Sequence, residues 1–382
     1  MSTIAWMRAL RRELARLVSA CRQHARGATA DTGKSVVRQV VEICALRLGL
    51  GKLRAEEYYD YGLYDDRRFP WPAKKQFFGR TMENKLCDVL NTRIWHALAG
   101  DKMLTNVLLE AGGIPTARIL AVYDYGRQLG TVPSLRTRAD VAHFLRATDR
   151  YPLVCKPTWG ISGHGVVALD SIDRGRDRLL LAGGQESAVE SFVEALPSPG
   201  WKQTRAGVLF QERLSPHPLI ATKCGNRICS LRLIALVTDE GPRITKAYWK
   251  IAAGANFIDN FQRGVSGNLV ATVDLRTGVI TRCIAKGASG RPVPVSVHPD
   301  TGEDLSALQL PFWEVTLDLM AKAVSLMPGL RMQAWDVAVC ADGPVFLEVN
   351  VIGGFNLPQV AEDAGVYDED LRSYLKQFGF GS

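Results

Sequence analysis

Hydrophobic and polar positions divide the chain into a helical first quarter and a mixed remainder. Over residues 3–26, Met7, Leu10, Leu14, Leu17 and Cys21 recur at spacings of three and four. That period predicts an amphipathic helix, with Arg8, Arg11, Arg12, Arg16 and Arg22 mainly off the apolar face. A second helix is predicted over 34–48, with Val37, Val40, Val41, Cys44 and Leu48 on one side and Gly49–Gly51 ending it. The aromatic run 58–72 carries prolines and aspartates and reads as an irregular, packed connection. No strand is expected before residue 117.

From about residue 90 the pattern alternates. A helix over 91–111 stops at Gly112-Gly113-Ile114-Pro115. Strands are predicted at 117–124, 151–159, 166–170 and 206–214, with helices ending at 147 and spanning 187–196. Longer strands follow at 228–238, 243–252, 268–274 and 279–284. A proline-rich loop covers 291–311, and a helix covers 312–327. Strands 334–340 and 345–350 form a hairpin around Ala341-Asp342-Gly343-Pro344, and a helix near 368–377 closes the pattern.

Charge changes this picture in one place. The formal charge is +8, and residues 1–55 alone hold 11 basic and 3 acidic residues, so the rest of the chain is neutral. A neutral body with one basic element argues against nucleic-acid binding. With 47% hydrophobic and 23% charged residues, the chain is ordinary globular material. Its 382 residues suggest two or three lobes. No run approaches the ~18 apolar residues of a membrane span, and Arg and Glu interrupt the start too early for a secretory signal. The eight cysteines form no CxxC pair and no zinc spacing. Reduced, packed thiols and a cytoplasmic location are the expectation.

Three local constellations carry chemistry. Asp336 lies on one strand of the last hairpin, and Glu348 and Asn350 lie two apart on the next, so all three can share a face. Hard oxygen donors gathered in an apolar hairpin suit a divalent cation with phosphate ligands, as Mg²⁺ is usually held. The alternative is a hairpin with a wet polar face. Second, Lys156 ends an apolar strand and is followed by Pro157-Thr158-Trp159-Gly160-Ile161-Ser162-Gly163-His164-Gly165. A lysine before a glycine-rich hairpin can close backbone N–H groups over phosphates, although glycine-rich hairpins are common. Neither a GxxxxGK[ST] loop nor a dinucleotide fingerprint is present. Third, Asp101-Lys102 opens a helix that leads through Gly-Ile-Pro into a strand.

These motifs in this order, with LFQERLSP (209–216) between the last two, resemble the ATP-grasp superfamily over about residues 90–365. The sequences AWDVAV, LEVN and DNFQRGVSGNLVATVDLRTG look most like its sugar-transfer-associated branch. The resemblance implies an α+β fold: two subdomains with antiparallel sheets gripping ATP, here preceded by a helical N-terminal extension over 1–89. The grasp unit would divide into 90–150, a small subdomain 151–215 with the flap, and a C-terminal subdomain 216–382 with the metal site. Lys102 and Lys156 would contact phosphates beneath a flap of Gly160, Ser162, Gly163 and Gly165. Gln211 or Glu212, with the Leu214 backbone, would meet adenine, and His217 would approach the ribose or belong to simple loop chemistry. Asp336, Glu348 and Asn350 would hold one or two Mg²⁺ ions, with Mn²⁺ as a substitute. Arg232, inside an apolar strand, would stand beside the transferred phosphoryl group or pair with a buried carboxylate. Lys250 is a further catalytic candidate.

Asn226, Arg227, Asp259, Asn260 and Asn268 are candidates for substrate recognition, with a turn as the alternative for Asp259-Asn260. Family ligases often carry an Arg two residues before the metal-binding Asp, and here that position is Ala334. The leading expectation is a ligase that activates a carboxylate as an acylphosphate and joins it to an amine, in natural-product or envelope-saccharide biosynthesis. A kinase acting on a sugar or metabolite hydroxyl, and a nucleotide-binding assembly partner with little turnover, are the alternatives. The basic helices would pack on the lobes, form a homodimer or dock an acidic carrier protein, with an anionic substrate or a membrane surface as further docking partners. No catalytic triad is expected, and strand alternation turns Cys155 away from Lys156.

Overall fold

The computed structural model describes residues 3–124, 126–160, 165–197, 207–261, 266–287 and 291–380. Helix α1 (Thr3–Thr32) runs six residues beyond its expected end, and Gly33 stops it at φ +75. The side chain of Leu10 lies outside the described set. Ser35 caps α2 (Val36–Leu48) by accepting from Arg38 N–H at 3.3 Å.

This second helix is inverted relative to its pattern. It buries Gln39, Glu42, Ile43 and Leu46, while Val37, Val41, Cys44 and Leu48 face out. The cause is an ionic hub. The Glu42 carboxylate accepts from Lys34 at 2.7 Å, Lys74 at 2.8 Å and the Tyr58 hydroxyl at 2.8 Å. Gln39 donates to the Ala25 and Lys34 carbonyls. Buried charges must be paired, and here the pairing fixes which face turns inward. The expected packing of the arm's apolar stripe is met in α1, where Leu17 and Cys21 lie against the aromatic core, and is not met on the body by α2, whose stripe faces out.

The aromatic connector begins with helix α3 (Ala55–Asp60). Its Tyr58, Tyr59, Tyr61, Tyr64 and Phe69 bury against Ala20, Ala25 and Ala28 of α1 in a small core of their own. After α4 (Trp71–Lys74) and α5 (Arg80–Leu90), the helix expected over 91–111 is split into α6 (Arg93–Gly100) and α7 (Lys102–Ala111). Asp101 breaks it with an extended backbone, and its carboxylate caps α7 by accepting from Met103 N–H at 3.0 Å.

The first seven-stranded sheet has the order β2-β1-β7-β3-β4-β5-β6. Its strands are β1 (Ile119–Tyr123), β2 (Ser134–Leu135), β3 (Leu153–Pro157), β4 (Val167–Asp173), β5 (Arg178–Leu181), β6 (Glu186–Ala188) and β7 (Val208–Glu212). Only β1 and β2 pair in parallel. Helices α8 (Arg138–Ala147) and α9 (Val189–Ala195) contribute Val141, Leu145, Val189 and Val193 to its core. The sheet joins β1 to β7, so it spans the 150/151 division expected from sequence.

The second sheet runs β12-β11-β10-β9-β8-β13-β14. Its strands are β8 (Ser230–Thr238), β9 (Gly241–Ile251), β10 (Leu269–Val273), β11 (Ile280–Lys286), β12 (Pro292–Pro294), β13 (Met332–Cys340) and β14 (Gly343–Asn350). All its neighbours are antiparallel. The expected α+β class holds. Helix α10 (Pro218–Cys224) precedes the sheet, and α11 (Trp313–Ser325) covers one face through Leu231, Leu233, Trp249, Trp335 and Met320. Gly278 in the β10–β11 turn has φ +72, and a Cβ there would lie 2.4 Å from the Trp313 ring, so only glycine fits. The other face carries Ile234, Tyr248, Val270 and Ala334 under α12 (Asn356–Glu362). Its remaining end holds the charged side chains described next. Helix α13 (Glu369–Lys376) closes the fold.

Candidate active site

A cavity lies between the two sheets. Lys250, Asp336 and Glu348 at the charged end of the second sheet line its floor, and Arg232 reaches it only through Asp336, since it does not itself line the cavity. Arg232 on β8 stands opposite Asp336 on β13, which stands opposite Glu348 on β14. Arg232 donates to Asp336 in a two-pronged pair, Nε to Oδ1 at 2.6 Å and Nη2 to Oδ2 at 2.9 Å. Lys250 on β9 bridges Asp259 at 3.3 Å and Asp336 at 3.4 Å. Burial pushes the Asp336 carboxyl up, but the charges of Arg232 and Lys250 pull it further down, leaving it well below the usual carboxylate range. Burial likewise disfavours charge on Lys250, and Asp259 and Asp336 outweigh it, so the ammonium is held above its usual value. Gly354, at φ +68, sits over this pair, and a Cβ there would lie 3.0 Å from Arg232 Nη1.

The opposite wall comes from the first sheet and α7. Lys156 on β3 is pushed down to about 8 by burial, with Glu348 opposing that and Lys102 adding to it. Lys102 opens α7, donates to the Gly160 carbonyl at 2.7 Å and lies 3.6 Å from Glu348. Trp159 lies over Gly100, where a Cβ would come within 2.5 Å of its ring. Gly160 and Gly165 flank the glycine-rich segment, whose residues 161–164, with Ser162 and Gly163 of the expected flap, lie outside the described residues. Val154, Val166, Leu214, Ile228 and Leu347 form an apolar end beside Gln211 and Glu212. Gln211 donates to the Ala117 carbonyl at 3.0 Å, and Glu212 accepts from Arg118 N–H at 2.9 Å.

Other candidates have structural partners. Asp259 lines the cavity but accepts from Ser230 N–H and Oγ–H, both at 2.6 Å, so it fixes Lys250. Asn268 is fully buried away from the cavity. Its amide accepts from Ala253 N–H at 2.9 Å and donates to the Ile258 and Asn260 carbonyls, which pins the loop on which Asp259 sits. Arg227 pairs with Asp300 and donates to the Gly254 carbonyl. His217 caps α10, accepting from Leu219 N–H at 3.1 Å, and does not line the cavity. Asn226 and Asn260 do line it. Sequence reasoning missed Ser230, Phe257 and Arg213, which also line it. Ser230 was within reach, because it lies two residues before Arg232 on one strand and so shares its face. The Arg213 guanidinium lies 5.2 Å from the Phe257 ring centroid and pairs with Asp170, contacts that only the tertiary fold creates.

Residues 81–375 match the family described as sugar-transfer associated ATP-grasp. The chain belongs to that family. No curated protein matches the ATP-grasp chain. Among solved structures, it is similar to the ATP-grasp ligase PsnB complexed with minimal precursor, at 16% identity over 76% of this chain and 64% of that one, TM-score 0.40. It is also similar to a D-alanine–D-alanine ligase from Bacillus anthracis, at 14% identity over 78% and 75%, TM-score 0.41. A third is an L-amino acid ligase from Bacillus licheniformis, at 16% identity over 69% and 43%, TM-score 0.36. The chain spans under two thirds of the PsnB structure it matches.

Among the described residues, no three His, Cys, Asp or Glu side chains gather as a metal site. Asp336 and Glu348 nevertheless stand directly opposite each other across the β13–β14 pair. Two carboxyl groups that close repel unless a cation or proton lies between them. Asn350, beyond Glu348 on β14, has a buried Nδ2 without a partner. Two carboxylates fit a hard cation that also takes phosphate oxygens, and the unpaired Asn350 N–H group, which is a donor and does not line the cavity, adds no metal ligand.

Proposed function

We propose that the protein is an ATP-dependent carboxylate–amine ligase, with ATP in the inter-sheet cavity. The observation that carries this reading is that each acid on the cavity floor is already engaged. Asp336 is held by Arg232 and Lys250, Asp259 by Ser230 and Lys250, and Glu348 lies against Lys102. A hydroxyl acceptor needs a base to take its proton. A carboxylate acceptor arrives deprotonated and needs none. Among the described cavity residues, no acid stands without a cationic or hydrogen-bonding partner.

The residues then divide the work. The apolar end and the Gln211–Leu214 segment take the base. Lys102 and Lys156 bind the phosphates. Asp336 and Glu348 would hold Mg²⁺, which neutralises phosphate charge when bound. Arg232 fixes Asp336, and Lys250 adds positive charge beside the transferred group. The acceptor carboxylate oxygen attacks the γ-phosphorus, the bond to the bridging oxygen breaks and ADP leaves. An amine nitrogen then attacks the acyl carbon, the acyl–oxygen bond breaks, and phosphate departs as the amine proton is lost to solvent. Positioning and charge supply the rate, with no protein nucleophile.

The test is ADP release from Mg–ATP across carboxylate and amine pairs, with hydroxylamine as a trap. Carboxylate-dependent hydroxamate is expected. A stable phosphate ester on a hydroxyl substrate, with no hydroxamate, would overturn the ligase in favour of a kinase.

A further inference from the structure

We propose that the N-terminal helices form a docking face for an anionic lipid surface. In this arrangement Leu14 and Val18 enter the headgroup boundary, and the arginines beside them bind the headgroups.

The stripe of α1 that buries Ala25 and Ala28 against the body continues toward the N-terminus, where nothing described covers it. There Leu14 is 52% exposed and Val18 48%. On α2 the outward face leaves Val37 74% and Leu48 79% exposed. These apolar side chains are turned out because Glu42 and Gln39 are held inside, so the exposure is built into the fold.

Charge identifies the occupant. Arg11, Leu14, Val18 and Arg22 follow one another at spacings of three and four, so they form one row along α1. Arg8, Arg11, Arg12, Arg22 and Arg26 are exposed. No carboxylate of the described residues lies within ion-pair distance of any of them, whereas Arg16 and Arg47 are both paired with Glu13. Residues 1–55 carry the whole formal charge of +8. A second copy would bring an equal positive charge against this face. An anionic bilayer supplies an apolar layer and a field of negative headgroups together, which is what a convex basic amphipathic helix binds. No helix of the described residues is long and apolar enough to cross a membrane, so the contact is peripheral.

The experiment is co-sedimentation of the full chain with phosphatidylcholine vesicles, and with vesicles in which phosphatidylglycerol replaces part of the phosphatidylcholine. Binding is expected to the anionic vesicles only, and to weaken as salt rises. At about fivefold per arginine, Arg11→Gln with Arg22→Gln should weaken it roughly 25-fold. Leu14→Ser with Val18→Ser should weaken it by about tenfold or more. Both pairs are partnerless surface positions, so thermal melting should not change. Three results overturn the proposal. One is no binding to anionic vesicles at low salt. Another is binding indifferent to the Leu14 and Val18 changes, which is adsorption by charge alone. The third is a wild-type dimer that the same two changes split, which makes the face a protein interface.

Discussion

Replacing Asp336 with Asn keeps the shape of the side chain and removes one negative charge between two buried cations. Arg232 loses a two-pronged partner at 2.6 and 2.9 Å, and Lys250 loses one at 3.4 Å. The side chains of Arg232 and Lys250 are 13% and 5% exposed, so water cannot replace the lost charge. Breaking a buried pair from one side costs about 3–5 kcal/mol. Asp259 still serves Lys250, and Glu348 still offers charge to Arg232, which places the expected loss near the lower end, about 3 kcal/mol. The assay is urea unfolding followed by tryptophan emission, to which Trp335 and Trp249 on the strands involved contribute among the eight tryptophans. Arg232→Met is made alone and in combination, because a double change removes the stranded charge and should cost less than the sum by roughly 1–3 kcal/mol. Since Asp336 is held below its ordinary value, its stabilisation is present above about pH 4 and is lost as pH falls further. The difference between wild type and Asp336→Asn should therefore shrink on acidification. Single changes that add within about 0.5 kcal/mol would refute the coupling. Asp336→Asn with full Mg–ATP turnover would refute the catalytic assignment, for which a loss of about 100-fold or more is expected.

Burial pushes the Lys156 ammonium down to about 8, so bound phosphates should restore its charge. Nucleotide binding at pH 8 should take up roughly half a proton and at pH 6 almost none, measured by calorimetry in buffers of differing ionisation heat. The unfolded lysine keeps its proton to about pH 10.4, so this residue makes stability rise with pH between about 8 and 10. Asn268→Ala removes four side-chain hydrogen bonds, three of them to backbone groups, and should cost about 3 kcal/mol or more. Faster amide exchange confined to residues 253–261, with weaker nucleotide binding, is the expected signature, and unchanged exchange there would count against it. Gly100→Ala should displace the Trp159 ring and raise the KM for ATP several-fold. Alanine favours a helix over glycine by about 1 kcal/mol, so melting should not fall, and a KM for ATP unchanged from wild type would refute the contact's role.

Much of the second sheet was legible in the sequence, because its strands are long enough to show a full period of two. That period put Glu348 and Asn350 on one strand face, and the Asp-Gly turn allowed Asp336 to join it. The short strands β5, β6 and β12 were not legible, since three or four residues show no period. Local sequence could not say that Asn268 would be spent on the loop before it, because its partners lie up to 15 residues away. Nor could it choose between the two readings of Arg232, as cation at the site or as partner of a buried carboxylate. The structure makes the two one, because antiparallel register sets Arg232 opposite the very aspartate proposed for the metal. The apolar stripe of α2 is the clearest division between the two levels. Periodicity alone establishes that the stripe exists and that the helix is amphipathic. Which side turns inward is a tertiary decision, made by Lys34 and Lys74 through Glu42, because a buried charge must find its partner and an exposed valine need not.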